Sequence, residues 1–411
     1  MRDEFERSGH LVTPGFIDLH AHLREPGFED SETIATGALA ALRGGFTTIC
    51  AMPNTEPAVD SPGLVAELIT RAASARGARV LPIAAITRGR KGRELADLVE
   101  LAAAGAVAFS DDGSPVEDAR LFRHALEYAR ARDLLVIEHP QDLALSAKGV
   151  MHEGVVSARL GLPGMPAAAE ETAVARDIAL AELTGARLHL THISTRGAIA
   201  LIRAAKSKGI RITCDVTPHH LSLTDEWVAG DRTFAWDGPV GGLRPPPTPR
   251  GVPYDSSTKV NPPLRERSDV RALWDGLADG TVDAIATDHA PHASVRTDVE
   301  FDQAAFGISG LETALSLVLG GVAAGWCDRA TVIRALTAGP AGILGIAVPD
   351  DDWIAIDTEA EWTVSADALT SLGKNTPLAG RTLRGRVVHA VVDGGARFEG
   401  GPRGATPAGA R

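Results

Sequence analysis

The sequence predicts an α/β chain built on a closed (β/α)8 barrel of the TIM type, with a small β appendage formed mainly by the C-terminal segment. Three observations point there. Short β-rich runs alternate with helix-like segments over most of the chain, His and Asp recur at the C-terminal ends of those runs, and no GxGxxG turn follows the first run as in an open dinucleotide-binding sheet. The runs are GFIDLHAH (15–22), FTTICAM (46–52), RVLPIAAI (79–86), AVAFSD (106–111), LLVIEH (134–139), RLHLTHI (187–193), IRITCDVT (210–217) and VDAIATD (282–288). Between them, SETIATGALAALRGG, LVAELITRAASARG, ELADLVELAAAG and DARLFRHALEYARARD space apolar residues three and four apart, and several end in Gly, which stops helices. Residues 14–345 are assigned to the barrel and 401–411 to a disordered tail. The remnant of a small β-domain takes 1–13 and 346–400, with a hairpin around Asp393-Gly394-Gly395.

Composition narrows the function classes. The 411 residues are 44% hydrophobic and 23% charged, ordinary for a globular protein, and the net charge of −12 argues against nucleic acid, whose phosphates need a basic face. No apolar run approaches the roughly 18 residues of a membrane helix, so no membrane partner is expected. The charged start MRDEFERSGH lacks a signal-peptide core. Cys50, Cys214 and Cys327 form no CxxC pair and read as reduced, packed thiols of a cytoplasmic protein.

The run ends carry the chemistry. Alternation along a strand puts Asp18, His20 and His22 on one face. An HxH pair alone is as readily two hydrogen-bonded core histidines. The joint pattern is more specific: Asp111 and Asp112 follow strand four, His139 ends strand five, His192 lies on strand six and Asp288 ends strand eight. These are side chains that zinc accepts, gathered at the barrel end where active sites form. His189 and His219 lie nearby with supporting or packing roles, while His10, His124, His152 and His389 read as surface residues.

In this order, HAHLREPG, AMPNT (51–55), FSDDG (109–113), IEHP (137–140), THIST (191–195), VTPHHL (216–221), KVNPPLR (259–265) and ATDHAPH (286–292) resemble the signature series of type I dihydroorotases, metal-dependent barrels of the amidohydrolase superfamily. The resemblance runs from Pro14 to about Val388. It implies two zinc ions, one held by His20, His22 and Asp288, the other by His139 and His192, with Asp112 bridging. A carboxylated lysine, the bridge in many related cyclic amidases, is excluded at strand four because no Lys occurs between Lys91 and Lys148. Asp288 is the implied acid–base residue. Arg24, Asn54 and His292 are the implied grips on the substrate carboxylate, and Asn261 with the Phe306-Gly307 backbone the implied contacts to its ring.

The activity so implied is reversible cyclisation of N-carbamoyl-L-aspartate to L-dihydroorotate, the third step of pyrimidine biosynthesis. A homodimer and association with aspartate carbamoyltransferase are family-based expectations. Two other readings remain: an allantoinase- or hydantoinase-type cyclic amidase, disfavoured by Arg24, Asn54 and the Asp bridge, and a non-catalytic scaffold for aspartate carbamoyltransferase, disfavoured by the full ligand set. The segment before Pro14 and the stretch VPDDDW are shorter than in relatives, which predicts exposed edges on the appendage. The Pro/Gly-rich stretch 235–257 and FDQAAFGISG (301–310) are expected as loops over the site.

Overall fold

A computed structural model describes residues 1–237 and 251–400; most of the Pro/Gly-rich stretch and the C-terminal tail lie outside the described residues. All eight expected strands form, as Phe16–Ala21, Phe46–Ala51, Arg79–Ala84, Ala108–Phe109, Leu135–Glu138, Arg187–Leu190, Ile212–Val216 and Ala284–Ile285. They pair in parallel in sequence order, as right-handed βα units require. Registers such as Ile49↔Val80, Val136↔Leu188 and Val216↔Ile285 stagger the strands around the ring. The first and eighth strands meet through an isolated bridge, Ala21↔His289, and the bond from His22 N to His289 O at 2.8 Å.

The helices form where the patterning asked for them. Helix Ala119–Arg130 buries Phe122, Ala125, Leu126 and Ala129, one face at helical spacing, and Asp118 caps its start by accepting from Arg120 N and Leu121 N. Helix Arg196–Ser207 is capped by Thr195 and buries Ala198, Ile199, Ile202 and Ala205. Helix Ile34–Gly44 ends on Gly45, whose φ of 91° and close approach to Phe16 and Ile354 leave no room for a side chain. A second apolar cluster, including Ile17, Leu19, Cys50, Ile83, Ile137 and Ala284, packs with Ile343 and Leu344 of helix Ala338–Leu344.

The appendage is a four-stranded antiparallel sheet, ordered Leu11–Pro14, Trp353–Thr363, Thr382–Val392, Gly395–Glu399. Its hairpin turns on Asp393 and Gly394, both at positive φ, a two-residue primed turn. Leu11–Pro14 covers only Trp353–Ile356, so among the described residues the rest of that long strand has no paired strand on this side. The N-terminus forms a helix, Arg2–Arg7, which the sequence reading did not anticipate; its Phe5 stacks on His389 and meets Trp353 edge-on. His389 is therefore buried, not a surface residue. His152 is buried as well, under Arg265, whose guanidinium donates to its Nδ1. Cys50 and Cys214 are buried, Cys327 is half-buried, and all three are free thiols. No helix among the described residues is long and apolar enough to cross a membrane.

Candidate metal centre

The six side chains from the strand ends converge. His20 Nε2 and His22 Nε2 lie 3.2 Å apart, and His139 Nδ1 and His192 Nε2 lie 2.8 Å apart. Asp112 stands between the pairs. Its Oδ2 is 3.4 and 3.5 Å from His20 and His22, and its Oδ1 is 3.4 Å from both His139 and His192. Asp288 Oδ1 joins the first pair, 3.4 Å from His20 Nε2 and 3.1 Å from His22 Nε2. Asp111 turns away and accepts from Ile86 N, Thr87 N and the Thr87 hydroxyl.

Hydrogen bonds on the outer side of the rings fix which nitrogens face inward. Thr191 Oγ1 donates to Asp215 at 3.0 Å, so it accepts from His20 Nδ1 at 2.9 Å. His22 Nδ1 donates to Asn54 Oδ1 at 2.8 Å, and His139 Nε2 to Gln141 Oε1 at 2.7 Å. A neutral ring whose outer nitrogen holds the proton presents a lone pair inward. Bare nitrogens of His20, His22 and His139 thus face inward toward the carboxylates, and Asp112 Oδ1 has no hydrogen-bond partner. A metal cation among these donors would satisfy them together. Donors about 2.0–2.1 Å from one tetrahedral ion lie about 3.3 Å from each other, close to the spacing within each pair. Among the described residues, two triads gather their donor atoms closely enough to share one ion, His20-His22-Asp112 and Asp112-His139-His192.

The electrostatics call for the same positive charge. Burial disfavours a charged imidazole, yet Asp112 and Asp288 push His20 up to about 9. Burial would raise both carboxylates, but the surrounding imidazoles hold Asp112 and Asp288 below their usual range. The backbone is strained to deliver these groups, since His192 and Asp288 sit at φ of 40° and 45°. Two buried carboxylates hold them there. Asp215 Oδ1 accepts from His192 N at 2.7 Å, and Asp18 accepts from Thr287 N and Oγ1 at 2.8 and 2.5 Å.

Beside the cluster lies half-buried Arg24, also left-handed at φ 61°; loss of solvation pulls it down to about 10, so it stays charged at neutral pH. Its Nε donates to Pro291 O, and its Nη2 lies 3.4 Å from His292 Nε2. Burial and Arg24 pull His292 down to about 3, so it works as a neutral ring. With its proton on Nε2 it donates to Phe306 O at 2.8 Å. Its Nδ1 has no hydrogen-bond partner. Gly307 N donates to Lys259 O and Gly307 O accepts from Asn375 Nδ2, so both polar groups of this backbone unit already have partners. Segment 301–310 is fastened rather than loose, because Lys259 Nζ donates to Asp302 O and Ala304 O. Asn261 Nδ2 donates to Gln141 Oε1 at 2.9 Å.

Comparison with known proteins agrees with this geometry. Residues 9–198 match the family described as "Dihydro-orotase-like". The curated Dihydroorotase of Anaeromyxobacter dehalogenans strain 2CP-C is 52% identical over 93% of this chain and 85% of its own length. The Dihydroorotase of Pelotomaculum thermopropionicum is 50% identical over 95% and 87%.

The chain belongs to the dihydroorotase family.

Among solved structures, the L-hydantoinase of Arthrobacter aurescens superposes with a TM-score of 0.81 over 96% of this chain and 87% of its own, at 22% identity, which speaks to the fold alone. Within this dihydroorotase-family site the sequence reading missed several supporting groups. Arg90 donates to the Asp112 and Asp111 carbonyls and so holds the turn that presents the shared carboxylate. Asn375 bonds Ala290 O, Gly307 O and His292 N, reaching the barrel mouth from the segment between two appendage strands. Glu170 accepts from Ser194 N and Oγ and from Thr195 N and Oγ1, fixing the turn after His192. Each sits in an ordinary loop or helix context, and only its burial as a charged or amide group marks it out.

Proposed function

We propose that the chain catalyses the reversible cyclisation of N-carbamoyl-L-aspartate to L-dihydroorotate with loss of water. His20, His22 and Asp288 would hold one zinc ion, His139 and His192 a second, and Asp112 would bridge them. The observation that carries this reading is the convergence of two imidazole pairs on the two oxygens of Asp112, with a half-buried, charged arginine alongside. When bound, the metals supply Lewis acidity, which acidifies water and polarises a carbonyl.

The chain's own residues do the rest. Asp288 takes a proton from the carbamoyl nitrogen during ring closure and returns it to the ring nitrogen in the hydrolytic direction. Arg24 grips the free carboxylate with two parallel N–H bonds, a geometry a guanidinium matches. His292, its Nε2–H held by Phe306 O, stands beside Arg24 at the same carboxylate, and Asn54 adds its Nδ2–H while its oxygen stays on His22. Asn261 and the Phe306-Gly307 backbone face the ring, and the buried walls keep the carboxylates short of water.

Purified protein should contain zinc and interconvert the two compounds while leaving allantoin and dihydrouracil untouched. Turnover of only the latter two would point to a hydantoinase-type enzyme. Stoichiometric metal with no turnover of any of these would point to a scaffold. Size measurement alone and with aspartate carbamoyltransferase tests the proposed dimer and partner.

A further inference from the structure

We propose that Gln141 is a positioning residue whose single amide oxygen ties the ring-binding amide of Asn261 to the metal ligand His139. This inference rests on the proposed roles of those two residues and extends them. Gln141 Oε1 receives His139 Nε2–H at 2.7 Å and Asn261 Nδ2–H at 2.9 Å. The two bonds fix one another's sense. With its oxygen toward His139, Gln141 places the imidazole proton on Nε2 and turns the Nδ1 lone pair toward Asp112 and His192. The reverse amide orientation would put an N–H against Nε2 and force the proton onto the inner nitrogen, where it would meet a cation. The same oxygen orients Asn261 with its Nδ2–H inward to the protein, leaving Oδ1 for a ring N–H.

Both partners and Gln141 itself are held in place by the backbone. Asp142 N donates to Ala169 O at 2.8 Å, and the Asp142 carboxylate caps helix Leu143–Ser146 through Leu145 N. On the other side His220 Nε2 donates to Pro262 O at 2.9 Å, and Thr217 Oγ1 lies 2.8 Å from His220 Nδ1. This accounts for His220, for which the proposed reaction has no direct use. The arrangement has a counterpart across the site, where Asn54 Oδ1 accepts from His22. Each metal half is thus tied to an amide that the substrate reads, directly through Asn54 and through Gln141 for Asn261.

The test compares Gln141→Met, which removes the acceptor at similar length, with Gln141→Glu, which keeps it. Zinc affinity of substrate-free protein is read by chelator competition. The Met variant should bind the zinc at His139 and His192 about tenfold or more less tightly, as loss of an outer partner of a ligating histidine does, while the Glu variant binds at least as tightly as wild type. In dihydroorotate turnover, KM should rise in Gln141→Met and in Asn261→Ala, and the double variant should be no worse than the poorer single. Gln141→Ala gives the same expectations should the Met variant not fold. Wild-type zinc affinity in the Met and Ala variants, equal losses in Met and Glu, or additive KM effects would each overturn the proposal. If wild type fails to turn over dihydroorotate, the functional reading falls while the chelator measurement still decides the role of Gln141.

Discussion

The two halves of the cluster reach the same geometry by different routes. His20 and His22 stand two residues apart at the end of one strand, and both outer nitrogens rest on well-placed oxygens, Thr191 Oγ1 and Asn54 Oδ1. His139 and His192 come from different strands. His192 is left-handed at φ 40°, its Nδ1 has no hydrogen-bond partner, and its placement depends on the Asp215 carboxylate below it. One half is written by the period of a strand; the other exists only once the barrel has closed. The first should therefore tolerate loss of neighbours better than the second.

The most damaging way to break this contrast is Asp112→Ala, which removes the oxygen each half shares. Zinc content should fall for both halves together and turnover should vanish; loss of only half the metal would mean the halves do not share it. Asp288→Asn should leave zinc on the His139-His192 half and cut turnover by about 10³-fold, the scale of a lost acid–base group. A near-normal rate with the metal retained would assign the proton to another group. Arg24→Met should raise KM by roughly 10–100-fold, the worth of a charge-assisted hydrogen bond, with zinc content unchanged.

Smaller effects sharpen the comparison. Thr191→Val removes the acceptor of His20 Nδ1 and should weaken zinc by about tenfold, whereas Asp215→Asn, which loosens the strained His192, should cost at least as much. Equal zinc affinity in both variants and wild type would erase the asymmetry. Stability should also report buried neutral histidines away from the cluster. Burial, with Arg265 and Arg196 nearby, pulls His152 down to about 4, and burial brings His220 to about 4. Folded values below the unfolded ~6.5 mean their stabilisation is whole above that pH and drains away as pH falls toward 4. His152→Gln should flatten the urea-unfolding slope between pH 6.5 and 5, by about 1–2 kcal/mol over that range.

The contrast between the halves also explains what could be read from the sequence. The eight strands were legible because each repeats the same local pattern, and His20 and His22 because alternation alone puts them together. His139, His192 and Asp288 became legible once the barrel supplied a common end for their strands. Gln141, Arg90 and Asn375 were not, because an amide or guanidinium in a loop looks solvated until distant carbonyls and imidazoles are brought to it. His152 and His389 misled for the same reason: Arg265 and Phe5, each far away in sequence, cover them. The helix Arg2–Arg7 is six residues without a side-chain cap, and its packing on Trp353 is non-local too.

Where the first and eighth staves of the ring meet, regular pairing thins, among the described residues, to one bridge, one backbone bond and the bonds of Thr287 to the Asp18 carboxylate and the His20 carbonyl. Burial pushes Asp18 up to about 6, so at neutral pH this joint carries an ionised carboxylate that its buried surroundings disfavour. His22 and Asp288 lie on opposite sides of it. Warming should therefore part them first, and the protein should shed its metal and fall silent several degrees before its helices melt.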